Sequence, residues 1–140
     1  MWGSSSKTNI NDLQKIQNFA AKVAVGNGKK FDHATPFIKK LEWLTIGQQI
    51  KYRDILYIFK ILKGCTPKWL LNLSYVSQMS NRESRQSQNL HKPLTRTRFA
   101  DKAFSVRGPS IWNSLPNNIK HLESFSLFKR DVKNYIKEHI

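Results

Sequence analysis

The stretch that most constrains the fold is TIGQQIKYRDILYIFKILKG, Thr45 to Gly64. Thr45 and Gln48 stand at capping-box spacing, in which the two side chains satisfy the free N–H groups at a helix start. Gly64 lies where such a helix would end. Between these signals Ile46, Ile50, Tyr57 and Ile61 mark one face, and the second half is apolar nearly all round. A helix apolar on all sides is a buried helix. This one is too short to span a membrane, which takes about 20 apolar residues. It is therefore expected at the centre of a domain, covered by other helices.

Those helices are legible in outline. A first helix is expected from about Asn9 to Val25, with Asn9 as its cap and Asp12 in capping-box position. Its Ile10, Leu13, Ile16, Ala20 and Val23 form a stripe expected to face inward, with Lys15 and Lys22 facing away. Gly26 ends it. TPFIKKLEWL predicts a short second helix with Thr35 as cap, Pro36 at the first helical position, and Phe37, Leu41 and Leu44 inward. TPKWLLNL repeats that start with Thr66 and Pro67 and predicts another short helix after the central one. The last helix is expected from a Ser124 cap to about Glu138, with Phe125, Phe128, Val132, Tyr135 and Ile136 inward. The chain is 39 % hydrophobic over 140 residues, enough for a modest core. The expected fold class is mainly α, a small bundle of about five helices with a long flexible loop and a short extended basic segment. Residues 1–73 form the helical region. Residues 74–90, SYVSQMSNRESRQSQNL, are polar without a period and read as a flexible linker or loop. Residues 91–140 hold the basic segment, a Trp-Asn-Ser-Leu-Pro motif and the C-terminal helix.

Lysine and arginine outnumber aspartate and glutamate by 24 to 9, a net charge of +15. A balance this basic implies an anionic partner, nucleic acid before an acidic membrane surface. The densest set is Arg82, Arg85, Lys92, Arg96, Arg98, Lys102 and Arg107, opposed by Glu83 and Asp101. In an extended TRTRF segment, Arg96 and Arg98 would share one face, and their guanidinium forks suit phosphate oxygens. Phe99 could stack on a base. The plain alternative is a solvated, charged loop. Phe104, Gly108, Pro109, Trp112, Leu115 and Pro116 are read as a structural motif. Gly108-Pro109 opens a helical turn, Trp112 plugs a small core, and Pro116 starts the next turn. Trp43 and Trp69 are read as core residues for the same reason.

No catalytic constellation is visible. Asp12, Asp32, Asp54, Asp101 and Asp131 are isolated in sequence, whereas polymerase and nuclease chemistry needs carboxylates clustered around metal ions. Phosphate-cradling glycine loops and nucleophile elbows are absent from the sequence. His33, His91, His121 and His139 lack zinc-site spacing. No metal, cofactor, small-molecule substrate or membrane partner is expected. Cys65 is the one cysteine; it is expected as small core filler, and its solitude fits a reducing, intracellular compartment, nucleus or cytoplasm. The polar start MWGSSSKTNIND is unlike a signal peptide.

RTRFADKAFSVRGPSIWNSLPNNIK, followed by SFSLFKRDVKNYI, resembles the C-terminal region of reverse transcriptases from non-LTR (LINE-type, Jockey-like) retrotransposons. The family pattern runs from an Arg-Thr pair through Gly-Pro and Trp-Asn-Ser-Leu-Pro to a Ser-Phe-x-x-Phe-Lys helix. WGSSSKTNINDLQKIQNFAAKV is similar to the segment after the family's palm, and LEWLTIGQQIKYRDILYIFKILKGCTPKWL to the helical region that follows. Phe19 and Lys22 depart from the pattern where the family helix often carries arginine. The resemblance implies a thumb and post-thumb region that holds RNA or an RNA/DNA duplex for a palm that would lie upstream of Met1. This piece would bind nucleic acid without sequence specificity and would not be an enzyme by itself. Two other readings stand beside it. One is a protein-interaction module that docks on the upstream polymerase domains, which a large exposed apolar face on the first helix would favour. The other is a non-functional relic of a mobile element.

Overall fold

A computed structural model describes residues 6–26, 29, 31–67, 73–79 and 89–139. Among them the elements are α1 (Lys7–Val25), α2 (Thr35–Lys40), α3 (Ile46–Leu62), α4 (Val76–Met79), a 3-10 turn (Ala100–Lys102), α5 (Phe104–Asn113), α6 (Asn117–Lys120) and α7 (Phe125–His139). The fold is mainly α, as expected; α1, α3, α5 and α7 are its longer helices. The short helix expected at Thr66 and Pro67 lies largely at residues 68–72, and Trp69 with it, outside the described residues.

The central helix has the start its sequence requires. Thr45 Oγ1 accepts from the Gln48 N–H, and Gln48 Oε1 accepts from the Thr45 N–H. At its far end Gly64 takes φ 70°. The Gly64 N–H donates to Ile61 and the Cys65 N–H to Lys60, the paired bonds of a Schellman cap. Ile55, Ile58 and Phe59 of α3 are buried. They meet Leu44, Leu90, Trp112, Leu115 and Ile119, with Phe128, Val132 and Ile136 of α7, in one core. α7 runs antiparallel to α3: Gln48 Nε2 donates to the Ile136 carbonyl, and Phe59 stacks on Phe128 with centroids 4.2 Å apart.

The Trp-Asn-Ser-Leu-Pro block works residue by residue. Trp112 is 3 % exposed and lies against Phe128. Asn113 uses both ends of its amide on one backbone residue, accepting from the Leu90 N–H at 2.8 Å and donating to the Leu90 carbonyl at 2.9 Å. Those are the groups a neighbouring strand would satisfy, so Leu90 is buried without a sheet. Leu115 enters the core, and Pro116 takes the extended conformation of an N-cap before α6. Gly108 and Pro109 do not open the helix. α5 begins at Phe104, and Pro109 sits inside it. A Cβ at Gly108 would meet Ile58 Cδ1 at 3.2 Å and Phe104 Cζ at 3.3 Å, so glycine lets α5 press close against α3.

Three local expectations are corrected. Ser6, not Asn9, caps α1 by accepting from the Asn9 N–H. Cys65 is exposed rather than core filler. Segment 91–99 is not extended along its length: Arg96 to Phe99 form bends and a turn, and Thr97 Oγ1 caps the 3-10 turn through the Ala100 N–H. The loop expected at 74–90 has paired ends, since the Val76 N–H donates to Asn89 and the His91 N–H to Ser74.

The largest correction concerns α1. Its apolar stripe faces solvent: Leu13 is 38 %, Ile16 65 %, Phe19 70 % and Val23 62 % exposed. Ala21 is the buried residue of this helix. The seating face is polar. Gln14 Oε1 accepts from the Ile46 N–H at 2.8 Å, and Gln17 Nε2 donates to the Leu44 carbonyl at 2.7 Å. The Ile46 N–H is among the first-turn donors that a helix cannot satisfy internally, so α1 helps to cap α3.

Candidate nucleic-acid interface

The sequence-predicted cations do not form one group. Arg82 and Arg85 lie outside the described residues. Lys92, Arg96, Arg98 and Lys102 are exposed around the 91–102 segment, and none makes an ion pair among the described residues. The turn at Arg96 to Phe99 removes the strand-like alternation that would have put Arg96 and Arg98 on one face. Asp101, their acidic neighbour, accepts from the Thr95 hydroxyl. Phe99 is exposed beside them.

Arg107 is committed elsewhere. Its Nε donates to Asp54 Oδ2 at 2.8 Å and its Nη2 to Asp54 Oδ1 at 3.2 Å. Asp54 is buried in α3. Burial pushes its carboxyl above the ordinary value, and the Arg107 guanidinium pulls it part of the way back. Arg107 therefore joins α5 to α3 and does not offer its fork to a phosphate.

A second set of cations comes together only in the folded chain. Arg53 on α3 and Lys129, Arg130 and Lys133 on α7 line an open groove of about 720 Å³. On each helix the spacing of three, four or seven residues keeps the cations on one face. Lys60, seven residues after Arg53, extends the line: Lys60 and Lys129 lie 5.3 Å and 5.9 Å from the centroid of the same Phe125 ring. Arg130 pairs with its neighbour Asp131 at 3.0 Å. Arg53, Lys129 and Lys133 have no carboxylate partner among the described residues. The acidic residue in the lining is Glu42, which pairs with Lys137 of α7 at 3.2 Å.

Trp43 and Glu42 also line this groove. Glu42 sits at φ 54°, in the position where a Schellman cap favours glycine. The Glu42 N–H donates to Lys39 and the Trp43 N–H to Ile38, each at 3.0 Å. Holding a residue with a side chain in this left-handed conformation costs roughly 1 kcal/mol. Trp43, expected in the core, is 38 % exposed on the groove wall. The sequence signal for this site was the repeat of cations along α7, which reads on its own as a solvated face. Nothing in the sequence paired it with Arg53.

Asp12, Asp32, Asp101 and Asp131 each have a partner within a few residues, and Asp54 has Arg107, 53 residues away. Asp12 pairs with Lys15 and Asp131 with Arg130, and Asp32 accepts from the Lys29 N–H. No group of three or more His, Cys, Asp or Glu that could hold a metal ion occurs among the described residues. Nor is any helix among them long and apolar enough to cross a membrane. Comparison of the chain with protein-family models, curated proteins and solved structures gives no match.

Proposed function

We propose that this chain binds nucleic acid without sequence preference and catalyses no reaction by itself. The observation that carries the reading is the α3–α7 groove, where Arg53, Lys129 and Lys133 converge without a carboxylate partner among the described residues. Like charges held close together repel, and an anionic ligand relieves that repulsion. The net charge of +15 and the exposed Lys92, Arg96, Arg98 and Lys102 support the same partner class. The motifs in RTRFADKAFSVRGPSIWNSLPNNIK support a more specific proposal. The chain is then a thumb and post-thumb piece of a retrotransposon reverse transcriptase, holding RNA or an RNA/DNA duplex for a palm on another segment.

The test is an RNA titration across several salt concentrations. Binding should weaken linearly on a log–log plot. Replacing Arg53, Lys129 and Lys133 together with Gln should reduce the slope by about two, from roughly 0.7 per neutralised phosphate of a single strand. A parent chain that binds no RNA at low salt would sink the reading. A triple variant that keeps the parental slope would move the interface to the 92–102 segment.

One observation favours a second role in a different class. The exposed Leu13, Ile16, Phe19 and Val23 on α1 suit a protein surface. In the reverse-transcriptase reading that surface belongs to the upstream polymerase domains. The two roles are compatible, since they use different helices.

A further inference from the structure

Trp43 stands in the turn between α2 and α3, where the backbone follows a defined course. Glu42 holds the left-handed conformation before it. The Glu42 carboxylate is tied to Lys137 on α7, and the Trp43 N–H closes onto the Ile38 carbonyl at 3.0 Å. A non-glycine residue keeps such a backbone only where its surroundings determine it. Trp43, 38 % exposed, lines the same groove as Arg53, Lys129 and Lys133.

Arg53 stands on α3 and Lys129, Arg130 and Lys133 on α7, so the cations flank the seam of two antiparallel helices. Packed helix axes lie about 8–10 Å apart. Lys129 and Lys133 lie one turn apart, about 6 Å along α7, while a stacked strand advances about 3.4 Å per nucleotide. Phosphates near one another on a single strand can therefore reach both. An aromatic face stacks on a base only where that base is free of its own stack and pair.

The geometry points to a single-stranded polynucleotide as the ligand of the α3–α7 groove, with phosphates on Arg53, Lys129 and Lys133 and one base stacked on Trp43. This rests on the nucleic-acid reading above and narrows it, since a duplex offers Trp43 no free base. The stacking is tolerant of sequence because every base has a π-face.

The experiment is a fluorescence-anisotropy titration with a short labelled oligothymidylate at fixed salt, repeated with an abasic strand of equal length and with a duplex as competitors. The parent chain should prefer the thymidylate strand to the abasic strand by about tenfold, within the range that base–aromatic stacking produces. Duplex should compete poorly. Trp43→Leu should lose that preference while keeping the salt slope, and Trp43→Phe should recover most of it. If the parent binds the thymidylate and abasic strands alike, or duplex competes equally, the single-strand assignment is wrong and the general nucleic-acid reading stands. If no polynucleotide binds, the general reading itself fails. Where Trp43→Leu folds poorly, Phe99→Leu decides the matter: it should keep the preference, and its loss would put the stack on the exposed Phe99 instead.

Discussion

On α7 the apolar stripe of Phe128, Val132 and Ile136 is buried, while Lys129 and Arg130 are exposed. On α1 the relation is reversed. Leu13, Ile16, Phe19 and Val23 are exposed, and Gln14 and Gln17 form the seat. Both helices are amphipathic, but different forces hold them. Each large apolar side chain fully buried on α7 stabilises by about 1.5–3 kcal/mol. Each neutral hydrogen bond under α1 contributes a net of about 1 kcal/mol. The contrast teaches that periodicity identifies two faces of a helix without saying which one a protein turns inward. It also makes α1 the more weakly held of the two, with its apolar area left for a partner.

The strongest test of this contrast is on the core that α7 helps to build. Trp112→Ala should cost about 3–5 kcal/mol, a large part of a typical total stability of about 5–15 kcal/mol. A denaturant melt measures it. A variant that melts like the parent would show that the core does not depend on this side chain.

The α3–α5 ion pair comes next. Arg107→Gln leaves the buried Asp54 carboxylate without its guanidinium and should cost about 3 kcal/mol, the cost of breaking a buried pair from one side. The double change Asp54→Leu with Arg107→Met should recover most of that loss. The pH dependence has a definite sign. The folded-state value of Asp54 lies above its ordinary 3.8. Just above that value the folded chain retains a proton that the unfolded chain has released. This group's contribution therefore favours folding at low pH and is lost as pH rises through the folded-state value. Thermal melts across the acid range should show this slope in the parent and not in Asp54→Asn. The opposite slope at this site would mean that Arg107 outweighs burial.

The smallest effects belong to α1 and probe the reversal directly. Gln14→Ala should cost about 1–2 kcal/mol, because the Ile46 N–H loses its partner. Ile16→Lys and Phe19→Lys should change stability by less than about 0.5 kcal/mol, as expected of exposed positions. If the lysine substitutions unfold the chain and Gln14→Ala does not, α1 is seated the other way round.

Much of the architecture was legible from local chemistry. The Thr45 and Gln48 capping box, the Gly64 stop and the α7 stripe each depend on residues a few positions apart, and the structure has them where the pattern places them. The candidate site was much less legible. Arg107 looked like its basic neighbours in sequence, because its partner Asp54 is 53 residues away. Trp43 looked like a core aromatic because it follows a helical pattern; it stands after a left-handed Glu42 that no propensity predicts.

The sequence by itself determined that the chain is helical, where α3 and α7 start and stop and where α1 stops, and that it carries a large positive charge. Helix caps, glycine stops and apolar periods act within one or two turns, so a linear pattern contains them. Tertiary structure alone decided which face of α1 is covered, which arginine is used up in an ion pair, and which cations share a groove. These depend on what stands opposite each residue across the fold. Arg53 and Lys129 become neighbours only because α3 and α7 pack antiparallel through Phe59 and Phe128. Leu13 and Ile16 are left exposed because Gln14 and Gln17 meet backbone groups that the turn between α2 and α3 leaves free.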